Sequence, residues 1–288
     1  MRNTLVLLFL LTCLPACVNS NINQFQQFSD AGAAYSDTMM LLTLEAGNAA
    51  IDADSQILIK NRGALNESER SDTYLDQTKS LQGLLTELRL FRQHTHLLAK
   101  YFRTLAKLSD QNIQSGLAES STLLLTDIQA LRPNLEKAEI GGAKVKDLLP
   151  AATRMITAAF QNKALENELR ANAATIGKEL NLQNAFLKAL AVGMEADINV
   201  IINLKSFQDV AKPYIKTGTL PKSWIEKRRE LLTSTVMLSS VANARNAADD
   251  LHSLFVALVE NKAGPSDIEA AFQSIGEMID LIEIFKKS

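Results

Sequence analysis

Apolar residues that recur at alternating steps of three and four constrain this chain more than any other feature. From Phe25 the series runs Phe28, Gly32, Tyr35, Met39, Leu42, Ala46, Ala49, Ala53 and Ile57, which puts every member on one stripe of an α-helix. A long amphipathic helix is expected there, ending near Arg62-Gly63, where glycine suits a left-handed cap. A charged turn over residues 66–72 should follow. The second series, Leu81, Leu84, Leu88, Phe91, Thr95, Leu98, Phe102 and Leu105, keeps the same steps and should stop at Ser109-Asp110. A third, Ile113, Leu117, Leu124, Ile128, Leu131, Leu135 and Ala138, contains Pro133, so a kink or restart is expected there. Gly141-Gly142 then breaks the chain.

The fourth series is the longest. Leu148, Ala152, Met155 and Ala159, then Leu169, Ala173, Ile176, Leu180, Leu187, Leu190, Met194, Ile201 and Leu204 hold one register, with Asn162, Glu166, Gln183 and Asp197 in the gaps. One helix over 148–204, about 85 Å long, is the reading that a shared register favours; two helices, broken near 162–167 or at Gly177, are the alternative. Pro213 and Gly218 should end it. Ser223-Trp224-Ile225-Glu226 after Pro221 has the pattern of a capping box opening a fifth helix, with Leu231, Leu238, Val241, Ala244, Ala248, Leu251, Phe255 and Leu258 on its apolar face. Pro265-Ser266-Asp267-Ile268-Glu269 reads as a second box opening a last helix faced by Ile268, Phe272, Ile275, Met278, Ile279 and Ile282. No segment alternates with period two over a strand's length. The expected fold is therefore all-α: an elongated antiparallel bundle of about six helices, several of them long and coiled-coil-like, in one domain over residues 25–288.

The N-terminus carries a different pattern. Arg2 precedes an unbroken apolar run from Leu5 to Leu11, and Leu14-Pro15-Ala16-Cys17 follows, the layout of a secretory signal rather than of a membrane span. The four residues Leu14, Pro15, Ala16 and Cys17 resemble the lipobox of bacterial lipoproteins. The resemblance implies that a diacylglyceryl group is attached to the Cys17 sulfur, that residues 1–16 are removed as a signal peptide, and that the new amino terminus is acylated. Several acyl chains hold a protein to a bilayer essentially permanently, since each buried methylene contributes about 0.8 kcal/mol. Val18 in the position after the cysteine, instead of Asp, points within that family to the outer membrane of the cell envelope, facing the periplasm. Residues 17–24 would form a short polar tether, reaching about 25 Å at most if extended.

Charge and cysteine content narrow the partners. Without residues 1–16, which hold Arg2, basic residues fall from 30 to 29 against 32 acidic ones, a net charge of −3. That balance argues against nucleic acid as a partner. Both cysteines lie at or before position 17, so the body of the chain has no disulfide and is stabilised by packing.

Groups for catalysis are sparse. His94 and His96 stand two apart on a helix and face opposite ways, so they cannot share a metal as an i, i+4 pair does. Asp249 and His252 have the i, i+3 spacing of carboxylate di-iron bundles, but such a site needs a second copy that the sequence lacks. Glu166 and Asp197 on the core register read as buried acids or as a partly solvated seam. No Gly-rich phosphate loop, Gly-x-Ser-x-Gly or thiol nucleophile is present. Neither cofactor nor metal is expected. Lys205, Lys212, Lys216, Lys222, Lys227, Arg228 and Arg229 cluster with Tyr214 and Trp224. Lys222, Trp224, Lys227, Arg228 and Arg229 are the candidates for contact with lipid headgroups or an acidic partner; a solvated loop with Trp224 packed beneath it is the simpler reading. The expected function is a non-catalytic, lipid-anchored helical binding or scaffold module for another envelope component. A membrane-active or self-assembling helical protein is the alternative, and an enzyme with an unrecognised site ranks third.

Overall fold

The computed structural model describes residues 16–109, 117–151, 163–216 and 218–287. The fold is all-α, as the periodicity predicts. Helix α1 spans Ala16–Asn61 and α2 Glu67–Ser109, with a 3₁₀ turn at Arg62–Ala64 between them. Helix α3 (Leu117–Lys137) leads into a two-stranded hairpin, β1 (Glu139–Ile140) antiparallel to β2 (Ala143–Lys144), and a 3₁₀ turn at Val145–Leu148. Helix α4 (Lys163–Lys205) continues through a π-turn (Ser206–Ala211) into the short α5 (Lys212–Lys216), and α6 (Ser223–Val259) and α7 (Pro265–Lys287) close the chain.

Side-chain pairs between helices fix their directions. Asp37 meets Arg103 and Thr43 meets Arg92 between α1 and α2, and Tyr101 meets Glu168 and Phe91 meets Phe186 between α2 and α4, so both pairs run antiparallel. Ser121 with Glu168 and Arg132 with Glu179 set α3 parallel to α4. Asn184 with Asp249 and Lys205 with Glu230 make α6 antiparallel to α4. Helix α4 is central: from Leu182 to Leu190 every side chain except the half-buried Lys188 is buried. The periodic residues of α1 and α2 form the wall around it, with Phe28 stacked on Phe255 at 5.4 Å and edge-on to Phe102 at 5.5 Å. Each such fully buried ring contributes about 1.5–3 kcal/mol by leaving water.

Several local expectations are corrected. Residues 17–24 are not an extended tether: they are the first turns of α1, continuous with the stripe that buries Phe25 and Phe28. The turn expected over 66–72 is already helix, because Asn66 and Glu69 form a reciprocal capping box, Glu69 N donating to Asn66 Oδ1 at 3.0 Å and Asn66 N to Glu69 Oε2 at 2.8 Å. Pro133 causes no restart. It sits near the end of α3, and the carbonyl it cannot serve belongs to the exposed Gln129, which is open to solvent. Residues 139–144, expected only as a break, pair as a hairpin turned by Gly141 (φ 58°) and Gly142 (φ 83°).

The fourth helix does not reach back to Leu148, which lies in a 3₁₀ turn followed by extended Leu149. Residues 152–162, with the possible break at Asn162, lie outside the described residues. Gly177 does not interrupt α4. Pro213 does not end the helical run either. The π-turn directly before it widens the backbone where the proline ring would otherwise press on the carbonyl of Asp209. The capping box at Ser223 is not formed: Lys222 is already helical, no side chain caps α6, and its start is held by Trp224 N donating to Pro221 O at 2.9 Å. At α7 the acid that reaches back is Asp267, whose Oδ2 accepts from Gly264 N at 2.7 Å. Phe272, placed on the apolar face of α7 by its spacing, is exposed.

Candidate functional site

Leu14 and Pro15 lie outside the described residues. Ala16 and Cys17 are the first two residues of α1, so whatever the cysteine carries joins the body without an intervening loop.

The candidate acids and histidines resolve into three groups. His94 is buried at the α2–α4 contact, where its Nε2 bonds Glu179 Oε2 at 3.0 Å and its Nδ1 accepts from Gln183 Nε2 at 2.8 Å. Arg132 Nη1 donates to the other Glu179 oxygen at 3.0 Å and Arg132 Nε to Glu136 at 2.6 Å. A chain of polar groups thus crosses the core from α3 to α2, every member serving another, which is the arrangement that makes buried charge tolerable. His96 is exposed on the opposite face. Glu166 is buried but held locally, by Lys163 at 2.7 Å and Arg170 at 2.8 Å. Asp249 bonds Asn184 across α4 and α6 rather than forming a metal pair with His252. Burial lowers the pKa of His252 against the opposing pull of the Asp249 charge, and burial with the Asp249 charge raises that of Tyr35. Tyr35 Oη and His252 Nε2 have no hydrogen-bond partner among the described residues.

Asp197 belongs to a feature the sequence does not announce. It lines a cleft of about 500 Å³ with Asp54 of α1, Glu87 of α2 and Glu139 of β1. Burial raises the carboxyl pKa of Asp54, Glu87 and Asp197, and the Asp54 charge raises Asp197 further; at Glu87 a hydrogen bond from the Glu139 backbone opposes the rise. Gly141 closes one wall by resting on Gly193 of α4: a Cβ on Gly141 would lie 2.5 Å from Gly193 Cα. Four acids drawn from four elements, 143 positions apart at the extremes, leave no local signal in a sequence. Among the described residues no group of three or more His, Cys, Asp or Glu is placed to hold a metal ion.

The basic and aromatic residues after the fourth series gather at the end of the α4–α6 hairpin. Trp224 is half-buried and acts as its staple: Nε1 donates to Val210 O at 3.0 Å, Tyr214 stacks on the ring at 5.8 Å and 22°, and the Arg228 guanidinium lies over it at 5.6 Å. Lys227 reaches Asp209 at 3.7 Å. Lys222, Lys227, Arg228 and Arg229 are exposed around that staple. The simpler reading of the sequence, Trp224 packed beneath a solvated loop, matches this geometry, while Tyr214, Phe207, Ile215 and Ile225 face water.

Fold and site together define an all-α protein of long packed helices, with an acid-lined cleft in its flank and a basic hairpin at one end. Among the described residues no helix is long and apolar enough to cross a membrane. No family model, curated protein or solved structure matches the chain.

Proposed function

We propose that the protein is a lipoprotein of the bacterial cell envelope, held by an acylated Cys17 in the outer membrane facing the periplasm, whose helical body serves as a non-catalytic binding or scaffold module for another envelope protein. The observation that carries this reading is Leu14-Pro15-Ala16-Cys17 directly behind the apolar run from Leu5 to Leu11. The body is consistent with it. Glu168, Glu179 and His94 are engaged by other side chains in the core, and its long helices offer faces on which another helix or an extended chain can lie. Because α1 begins at Ala16, a lipid on Cys17 would set the body directly on the headgroups.

The test is Cys17→Ala expressed in the native host. The expected result is an unprocessed or soluble form, together with loss of the envelope partner that crosslinking in intact cells recovers with the native protein. Equal membrane retention of the variant would reject lipidation. Recovery of the protein with copies of itself alone would favour the alternative, a self-assembling protein that acts on the bilayer.

A further inference from the structure

The hairpin at the end of α4 packs mainly on itself, its π-turn meeting α4, α5 and α6. Asp54 and Asp197 share the cleft, so α1, which ends at Asn61, runs out near residue 204 of α4. The chain nevertheless continues through the π-turn and α5 before it returns in α6, and neither the π-turn nor α5 contributes a buried residue. Instead Phe207 is 54%, Tyr214 66%, Ile215 72% and Ile225 59% exposed. Most of the large apolar side chains exposed among the described residues lie at this end, Ile59, Tyr74 and Leu75 of the α1–α2 corner included. Residues 205–230 carry seven basic against three acidic side chains, a net charge of +4 in a chain whose net charge is −2.

This tip is at the far end from the N-terminus. Phe28 packs on Phe255 and Phe102, which places the start of α1 beside the ends of α2 and α6, and the 43 residues of α4 separate that level from the tip by about 65 Å. We propose that the tip is a docking surface for an anionic bilayer facing the one that holds the N-terminal end. The proposal rests on the membrane anchoring argued above.

Shape and chemistry select the occupant. A stable protein interface needs roughly 800 Å² of complementary surface per partner, whereas here Phe207, Tyr214, Ile215 and Ile225 are interleaved in sequence with Lys212, Lys216, Lys222 and Lys227. A fluid bilayer asks for no such complementary surface. It accepts Ile215 and Ile225 singly among its acyl chains and Tyr214 at the headgroup level, while the lysine stems extend along the interface and put their charges on the phosphates. Each basic residue close to an anionic surface strengthens binding about fivefold.

The test reconstitutes the full-length protein, purified from membranes, into phosphatidylcholine donor vesicles and mixes them with fluorescent acceptor vesicles containing phosphatidylglycerol. Acceptors should co-float with donors, and the association should fall in high salt and be absent with pure phosphatidylcholine acceptors. Lys216→Glu with Lys222→Glu should weaken it by more than about 25-fold, since each change removes a positive charge and adds a negative one, and Ile215→Ser with Ile225→Ser should weaken it with charged residues untouched. None of these four side chains is buried, so unchanged melting of the variants is the folding control. Equal association with neutral acceptors, indifference to both double variants, or binding of an acidic protein without binding of vesicles would overturn the proposal. Flotation of the protein with donor vesicles alone reports the anchoring separately. If it fails, the facing arrangement is rejected, and cosedimentation of the same variants with anionic vesicles still reads the tip's affinity for lipid.

Discussion

Glu179 is almost completely enclosed, and a carboxylate in that position is stable only because donors from two helices reach it, Arg132 on one oxygen and His94 on the other. Removing the acid leaves a guanidinium with one partner fewer and an imidazole N–H with none, inside a packed contact. Glu179→Ala should therefore cost about 3–5 kcal/mol of stability, measured by denaturant unfolding, while Glu179→Gln, which keeps an acceptor for one donor, should cost less. Tyr101→Phe is a milder probe of the neighbouring acid. It deletes the hydroxyl that donates to Glu168 Oε1 at 2.9 Å, and the loss of one hydrogen bond to a charged group should cost about 1.5–3 kcal/mol. The cleft acids respond to pH in the opposite sense from paired ones. Burial raises Asp54, Glu87 and Asp197, so between the ordinary carboxylate range and their raised values the folded protein keeps protons that the unfolded chain has released. Stability from these groups is fullest at the low end of that window and is lost as the pH rises through it. The melting temperature should rise as the pH is lowered through that window toward the ordinary carboxylate range. Asp197→Asn should flatten that rise and raise the neutral-pH melting temperature; an unchanged slope in the variant would place its origin outside the cleft.

At the scale of elements, the β1–β2 hairpin is a piece of structure that periodicity could not reveal, and two glycines explain both its existence and its position. Gly141 and Gly142 both take positive φ, but only Gly141 is pressed against another backbone, Gly193 of α4. Gly142→Ala should cost only the left-handed strain, about 1–2 kcal/mol. Gly141→Ala adds a clash with backbone that cannot rotate aside, and should cost more than Gly142→Ala by about 1–3 kcal/mol while displacing Glu139 from the cleft; thermal melting of the two variants gives the comparison. The helices were legible because their signal is repeated: every apolar position read from Phe25 to Ala53 and from Leu88 to Leu105 is buried. Their ends were less legible, since a boundary depends on one or two local hydrogen bonds. Asn66 with Glu69 makes such a pair and Ser223 with Glu226 does not, although the two patterns look alike in sequence. The π-turn before Pro213 escaped for a related reason. A proline read alone predicts termination, whereas in the folded chain the preceding turn widens and the helix goes on.

For the molecule as a whole, the sequence located the basic cluster but not its separation from the N-terminus, because that distance follows from how four long helices alternate in direction. The alternation puts the start of α1 and the α6–α7 turn at one end, and the α1–α2 corner and the basic hairpin at the other. It also makes orientation measurable. The mature chain expected from the lipobox contains no cysteine except Cys17, so a cysteine introduced elsewhere is the only thiol a dye can take once Cys17 is acylated. Ser266, exposed beside the start of α7, and Ser223, exposed at the start of α6, mark the two ends. In vesicles carrying an acceptor dye on the headgroups, Ser266→Cys should show strong energy transfer and Ser223→Cys weak transfer, because α4 alone spans about 65 Å between those levels. Addition of anionic acceptor vesicles bearing the same headgroup dye should raise transfer at Ser223→Cys and leave Ser266→Cys unchanged. Equal transfer at both positions before that addition would mean that the body lies flat on its own bilayer, bringing the basic tip to the membrane proposed to hold the N-terminus and leaving nothing to reach a facing one.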